Sequence, residues 1–227
     1  VAFKLACALY DGDVEDLLED YADYVTIGTI GDMVPLLNEN RAIVKAGLKL
    51  INTDAKIGIS ALKKSTNSKA EHFSATDVAF QICPRINAAG RMDTANLAVD
   101  LLTCEDNEIA EYKAEQLNLE NTHRHEVEEK IDKDIAEIMA NDRAYQTDRV
   151  IVVAGHNYHK GVIGICAAHL VELYSKPAIV IGIDDEGNAT GSARSIDGFN
   201  IFEAISNCSD ILTHFGGHPL AAGMGLN

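Results

Sequence analysis

The chain has no long apolar run, no ordered set of cysteines and few basic residues, and each shortage narrows what it can be. Its longest apolar runs, Val150 to Ala154 and Ala178 to Ile183, are strand-sized. A membrane-spanning helix needs about 20 such residues, so no membrane partner is expected. No basic-then-apolar leader opens the sequence. Cys7, Cys83, Cys104, Cys166 and Cys208 are odd in number and lack metal-type spacing, which argues against a zinc framework and fits reduced thiols in the cytoplasm. None sits in a Cys/His setting that would make it a nucleophile, so packing as small hydrophobes is their expected role. An initiating Met is also missing. Val1 to Leu9 reads as an amphipathic helix already under way, and the expectation is a piece of a longer protein.

The scarcity of bases leaves a formal charge of −16, which at first argues against a nucleic-acid partner. The distribution alters that reading. Residues 1–24 carry −6 and residues 106–142 carry −8, so the remaining 166 residues are nearly neutral at −2. Weak nonspecific affinity and a small, focused anion site are expected, with divalent cations assisting.

What is present is 227 residues at 47% hydrophobic content, enough for a sizeable core in one or two domains. Three parts emerge. Residues 1–104 are predicted as helices (Val1 to Leu9, Asp13 to Asp20, Asn40 to Ile51, Ala75 to Ile82, Thr94 to Leu102) with a strand near Tyr24 to Gly28, the pattern of half an α/β domain. Residues 105–147 connect; within them 106–142 hold no Gly or Pro and space Ile109, Tyr112, Leu117, Val127, Ile131, Ile135 and Ile138 at near-helical intervals. This reads as one long helix or two helices in line; unbroken, it would run about 55 Å and hold two domains at a fixed separation. Residues 148–227 read as strand, helix, strand, strand, helix: a compact second α/β domain.

Three short runs carry the chemistry. Arg85-Ile-Asn-Ala-Ala-Gly-Arg91, Gly191-Ser-Ala-Arg-Ser195 and Phe215-Gly-Gly-His218 each combine cationic or hydroxyl side chains with small residues. Arg presents a planar fork that matches phosphate oxygens, Ser adds a hydroxyl, and Gly or Ala leaves room for main-chain N–H groups. Together they predict phosphate binding. The remaining histidines are less informative. His214 and His218 have helical metal spacing but are interrupted by Gly216-Gly217, and His169 in an apolar helix reads as a core or boundary residue.

The order Thr29-Ile-Gly-Asp32-Met-Val-Pro-Leu36, Pro84 to Arg91, Gly161-Val-Ile-Gly-Ile165, Gly191 to Ser195 and Phe215 to Gly223 resembles the RecJ single-strand-specific exonucleases of the DHH phosphoesterase superfamily. The resemblance covers nearly the whole chain. It implies an α/β fold made of the C-terminal part of a DHH catalytic domain (1–104), a long connecting helix and linker (105–147) and a DHH-associated substrate-binding domain (148–227). It implies a 5′-to-3′ exonuclease acting on single-stranded DNA in repair and recombination with two Mn²⁺ or Mg²⁺ ions, and partners that include single-strand-binding protein and a helicase. By the same resemblance Asp32 is a metal ligand, and Asp32 and His218 are catalytic. Arg85, Asn87 and Arg91 form a phosphate-contacting loop with Arg85 foremost. Ser192 and Arg194 hold a 5′-phosphate, and Gly216, Gly217 and His218 contact the strand. The family's aspartate-rich and Asp-His-His runs are absent, so this chain alone is expected to be inert and not to retain the metals. The family often has Trp where Asn157-Tyr-His-Lys160 stands, which makes Tyr158 or His159 a candidate for stacking on a base. The alternatives are an oligoribonuclease or cyclic-dinucleotide phosphodiesterase of the same superfamily, or a non-catalytic nucleic-acid-binding scaffold.

Overall fold

A computed structural model describes residues 1–92 and 94–226. They fall into two compact units, 1–122 and 123–227. Among its described residues the regular elements of the first unit are all helical: α1 (Ala2–Leu9), α2 (Val14–Gly31), α3 (Asn38–Thr53), α4 (Ile57–Ser65), α5 (Ala75–Asp77), a π-helical turn (Val78–Ile82), α6 (Cys83–Met92), α7 (Asn96–Leu102) and the start of α8 (Asn107–Asn141).

The predicted strand near Tyr24 to Gly28 lies inside α2. Tyr24-Val-Thr-Ile is rich in strand-favouring side chains, yet Ala22, Asp23, Thr26, Ile27 and Ile30 are the buried positions, a spacing that follows the helical period. Asp13 caps the helix through the Glu15 N–H. Buried Asp23 is paired with Lys56 Nζ at 3.1 Å. Helices α2 and α3 meet at backbone distance because Gly47 has no side chain: a Cβ there would lie 2.1 Å from both the Ala22 carbonyl oxygen and Thr26 Oγ1. Gly47→Ala should therefore destabilise the protein by roughly 1–3 kcal/mol, the range for overpacked cores, read as a lowered midpoint in urea unfolding.

The Arg85 to Arg91 run, predicted as a loop, is helix α6. Its small residues Ala88 and Ala89 are buried rather than facing a ligand. The π-helical turn stands just ahead of Pro84, which has no N–H to donate and whose ring would collide with the carbonyl four residues back. Widening the turn relieves that clash without ending the helix. Helix α8 runs unbroken. Ala110, Ala114 and Leu117 from its first half join the core of the first unit, and Ile131, Ile135 and Met139 are buried in the second.

The second unit continues with α9 (Ala144–Thr147), β1 (Ile151–His156), α10 (Ile163–Tyr174), β2 (Ala178–Ile183), β3 (Ala189–Arg194), α11 (Ile201–Ser206), β4 (His214–His218) and β5 (Ala221–Leu226). The sheet order is β1-β2-β3-β5-β4, with β1 and β2 parallel and the other neighbours antiparallel. A parallel pair needs a crossover, and α10 provides it. Helix α10 packs on the face that carries Ile151, Val153, Ala178 and Val180, while Ala193, Ala222 and Met224 on the other face join α11. The Gly-Gly-His segment, predicted as a turn, is edge strand β4. No helix among the described residues is long and apolar enough to cross a membrane.

Candidate nucleic-acid interface

Strand β3 supplies the first part of the site in the second unit. Ser192 and Arg194 are two residues apart in a strand and project to the same face, and Arg194 Nη1 donates to Ser192 Oγ at 3.2 Å and to the Ala193 carbonyl at 2.8 Å. On that face lies the N-terminal turn of α10. A Cβ added to Gly164 would come within 2.9 Å of Ser192 Oγ and 3.0 Å of Arg194 Nη2. The glycine is what lets a guanidinium and a hydroxyl approach the backbone of the first turn of the helix. Such a corner combines charge, donors and the positive end of a helix dipole.

The register then extends the site sideways. Arg194 pairs with Ala221, and Ala221 with His218; Ser192 pairs with Gly223, and Gly223 with Gly216. Directly opposed residues share a face, so Ser192, Arg194, Gly216 and His218 occupy one side of the sheet. His218 stands about 10 Å from Arg194, two strand spacings away. Between them Ala221, Gly223 and Gly216 form a shelf of nearly bare backbone, and β4 is exposed along its length. Gly217 alternates to the other face, where a Cβ would meet the Ala221 carbonyl at 2.4 Å and Ala222 Cα at 2.5 Å. Gly217 therefore holds the hairpin closed, while Gly216 faces open space.

Tyr158 is not presented for stacking. It is buried over Gly155 and Gly182, where no side chain could fit beneath it, and its hydroxyl bonds to Asp134. Burial, with the Asp134 carboxylate second, holds that hydroxyl well above the ordinary tyrosine range. His159 Nδ1 accepts from the Gly161 N–H at 3.2 Å, fixing the loop that leads into α10.

The first unit has a cleft of about 550 Å³ between the end of α2 and α6, lined by Gly28, Gly31, Asp32, Cys83, Asn87 and Arg91 among others. Asn87 and Arg91 are one helical turn apart and share a face; Asp32 caps the facing helix end. The residue after it, Met33, has φ of 53°, a left-handed backbone that costs a non-glycine residue about 1 kcal/mol or more. Burial pushes the Cys83 thiol up to about 11, so it is no nucleophile at neutral pH. Arg85 does not line this cleft. Its Nε donates to Asn118 Oδ1 at 3.0 Å and its Nη1 to the Gln81 carbonyl at 2.6 Å. Burial lowers its pKa, opposed by the nearby Glu115.

Hard divalent cations take about six oxygen donors each. Asp32 offers this cleft a carboxylate and Asn87 an amide oxygen, while Arg91 brings positive charge to the same wall. These residues do not complete a two-metal site.

What sequence reasoning left out is Gly164 and the Ala221–Gly223 shelf. The signal was available for the first, since Gly161-Val-Ile-Gly164 stands between a strand and an apolar helix. For the second there was none before the strand register was known.

Comparison with known proteins gives one answer throughout. The profile of the DHHA1 domain matches residues 147–227. A single-stranded-DNA-specific exonuclease RecJ from Bacillus subtilis is 45% identical over 227 residues, all of this chain and 28% of the relative. The protein of the same name from Haemophilus influenzae is 32% identical, over 96% of this chain and 39% of its own. The crystal structure of RecJ from Thermus thermophilus in complex with Mn²⁺ superposes with a TM-score of 0.80 at 33% identity, over 92% of this chain and 30% of that one. The chain thus spans well under half the length of these relatives. With matching sequence along its whole length and matching mixed α/β architecture, the chain belongs to the RecJ family and carries a DHHA1 domain.

Proposed function

We propose that this chain is the substrate-gripping part of a metal-dependent exonuclease that degrades single-stranded DNA from its 5′ end. The observation that carries the reading is the corner where Ser192, Arg194 and the start of α10 meet beside a shelf ending at His218. A terminal phosphate fits the corner, because Arg and a hydroxyl supply donors beside the positive end of a helix dipole. The adjoining nucleotides then cross the shelf, where the absence of side chains lets a sugar-phosphate backbone approach closely. Gly216 and His218 face that path. In the first unit Asp32, Asn87 and Arg91 serve the α2–α6 cleft, with Asp32 as the carboxylate contributed to the Mn²⁺ or Mg²⁺ centre of the longer protein. Arg85 acts through Asn118, orienting α6. The longer protein works in the cytoplasm in repair and recombination, where single-strand-binding protein and a helicase provide its strands. This chain alone grips without cutting.

The test is an assay of the longer protein with Mn²⁺ on DNA labelled at either end. Stepwise loss from the 5′ end of single strands, with blunt duplex spared, is the expected result; the 227-residue chain should retain the single strand at low salt but not hydrolyse it. Cleavage confined to short oligoribonucleotides or cyclic dinucleotides, or binding without any hydrolysis by the longer protein, would each overturn the reading.

A further inference from the structure

Helix α8 carries Glu128 and Asp132 four residues apart on one face, turned toward His169 of α10 within the second unit. His169 Nδ1 lies 2.8 Å from Asp132 Oδ2, and its Nε2 lies 3.6 Å from Glu128 Oε1. One donor atom from each of the three residues falls within 4.8 Å of the other two. A four-coordinate ion with bonds of about 2.1 Å keeps its donors about 3.4 Å apart, so side-chain rotations alone would close this set around an ion. We infer that Glu128, Asp132 and His169 form a site for one divalent transition-metal ion of the zinc class, with water completing the coordination.

Each carboxylate is already oriented by a partner. Arg124, itself nearly buried, pairs with the second oxygen of Glu128 and leaves the first directed at the imidazole. The thiol of Cys166, one turn before His169 and fully buried, faces Asp132. Outer partners of this kind fix ligating carboxylates in known metal sites. Charge argues the same way. Two carboxylates face this one imidazole, Arg124 pairs with Glu128, and His125 Nδ1 stands 4.0 Å from Glu128. A divalent ion balances the excess.

The donor set selects the metal. Calcium and magnesium require six or more oxygens and seldom take imidazole. Three protein ligands including an imidazole suit zinc, which also outranks manganese and iron(II) in intrinsic affinity. Bound there, the ion ties α8 to α10, the helix whose first turn borders Arg194.

Zinc titrated into the metal-stripped 227-residue chain should bind at one ion per chain and raise the melting temperature. Asp132→Asn and His169→Gln should each weaken binding at least ~10-fold with the helical circular-dichroism signal retained, while Asp11→Asn, at an exposed position of the first unit, leaves the isotherm unchanged. Manganese should bind at least ~10-fold more weakly than zinc. X-ray absorption at the zinc edge of the unaltered chain, which needs no variant to fold, should give one imidazole among oxygen neighbours and no sulfur. Absence of stoichiometric binding, sulfur in the coordination shell, or wild-type affinity in both α8 and α10 variants would overturn the assignment.

Discussion

Arg194→Ala in the longer nuclease should reduce kcat/KM on 5′-phosphorylated single strands by roughly 10- to 100-fold while leaving strands with a 5′-hydroxyl nearly unaffected. A hydrogen bond to a charged group is worth about 1.5–3 kcal/mol, and each 1.4 kcal/mol is a factor of ten. Under the proposed function the guanidinium reads the phosphate, so the preference between the two ends should collapse toward unity. Stability should change less than end recognition, since Arg194 is only partly buried and among its bonds is one to the Ser192 hydroxyl. Gly164→Ala reaches the same end by another route. Its methyl group would occupy the space now held by Ser192 Oγ and Arg194 Nη2, pushing both donors off the helix terminus without removing either. If both variants lose activity equally on phosphorylated and unphosphorylated ends, the corner supports the fold and does not read the terminus.

Several of these features were legible from residues alone, for identifiable reasons. Strand β2 was found to its exact residues because Ala178 to Ile183 is an apolar run of strand length between turn residues. Helix α8 was found because nothing in 106–142 interrupts it. Ser192 and Arg194 could be paired at sight, since alternate residues of a strand face the same way. Tyr24 to Gly28 misled because β-branched residues are not confined to strands; the burial period of α2, which only its partners α3 and α6 reveal, overrode local preference. The β4–β5 hairpin was invisible because its glycines and alanines carry no strand signal, and its order comes from pairing with β3. Reading Arg85 to Arg91 as a loop had a direct consequence. On a helix two residues six apart point about 120° away from each other, so Arg91 can face the cleft only if Arg85 does not. Asn87 and Arg91, four apart, can share it. Likewise His169 read as a boundary residue because its carboxylate neighbours come from a different helix.

Asp32→Ala should have the largest effect on turnover, and the local electrostatics say why the residue is there at all. Asp32 caps the C-terminal end of α2, where carbonyl oxygens already concentrate negative charge and a carboxylate is unfavourable by roughly a few tenths of a kcal/mol. A residue chosen to suit the electrostatics of a helix C-terminus would be Lys or Arg. The left-handed backbone at Met33 adds further strain at the same point. Both costs are accounted for if the carboxylate faces a cation supplied when the rest of the nuclease is present. Removing the side chain should then leave the melting temperature of the protein unchanged or slightly higher, while turnover on single-stranded DNA falls at least ~100-fold, equivalent to about 2.8 kcal/mol of transition-state stabilisation. Strand affinity, which the proposed function assigns to Arg194, Ser192 and Arg91, should stay within about threefold. The two readouts move in opposite directions only for a functional carboxylate: a structural cap would lose stability and activity together, and turnover above a tenth of the unaltered enzyme would remove Asp32 from the catalytic machinery.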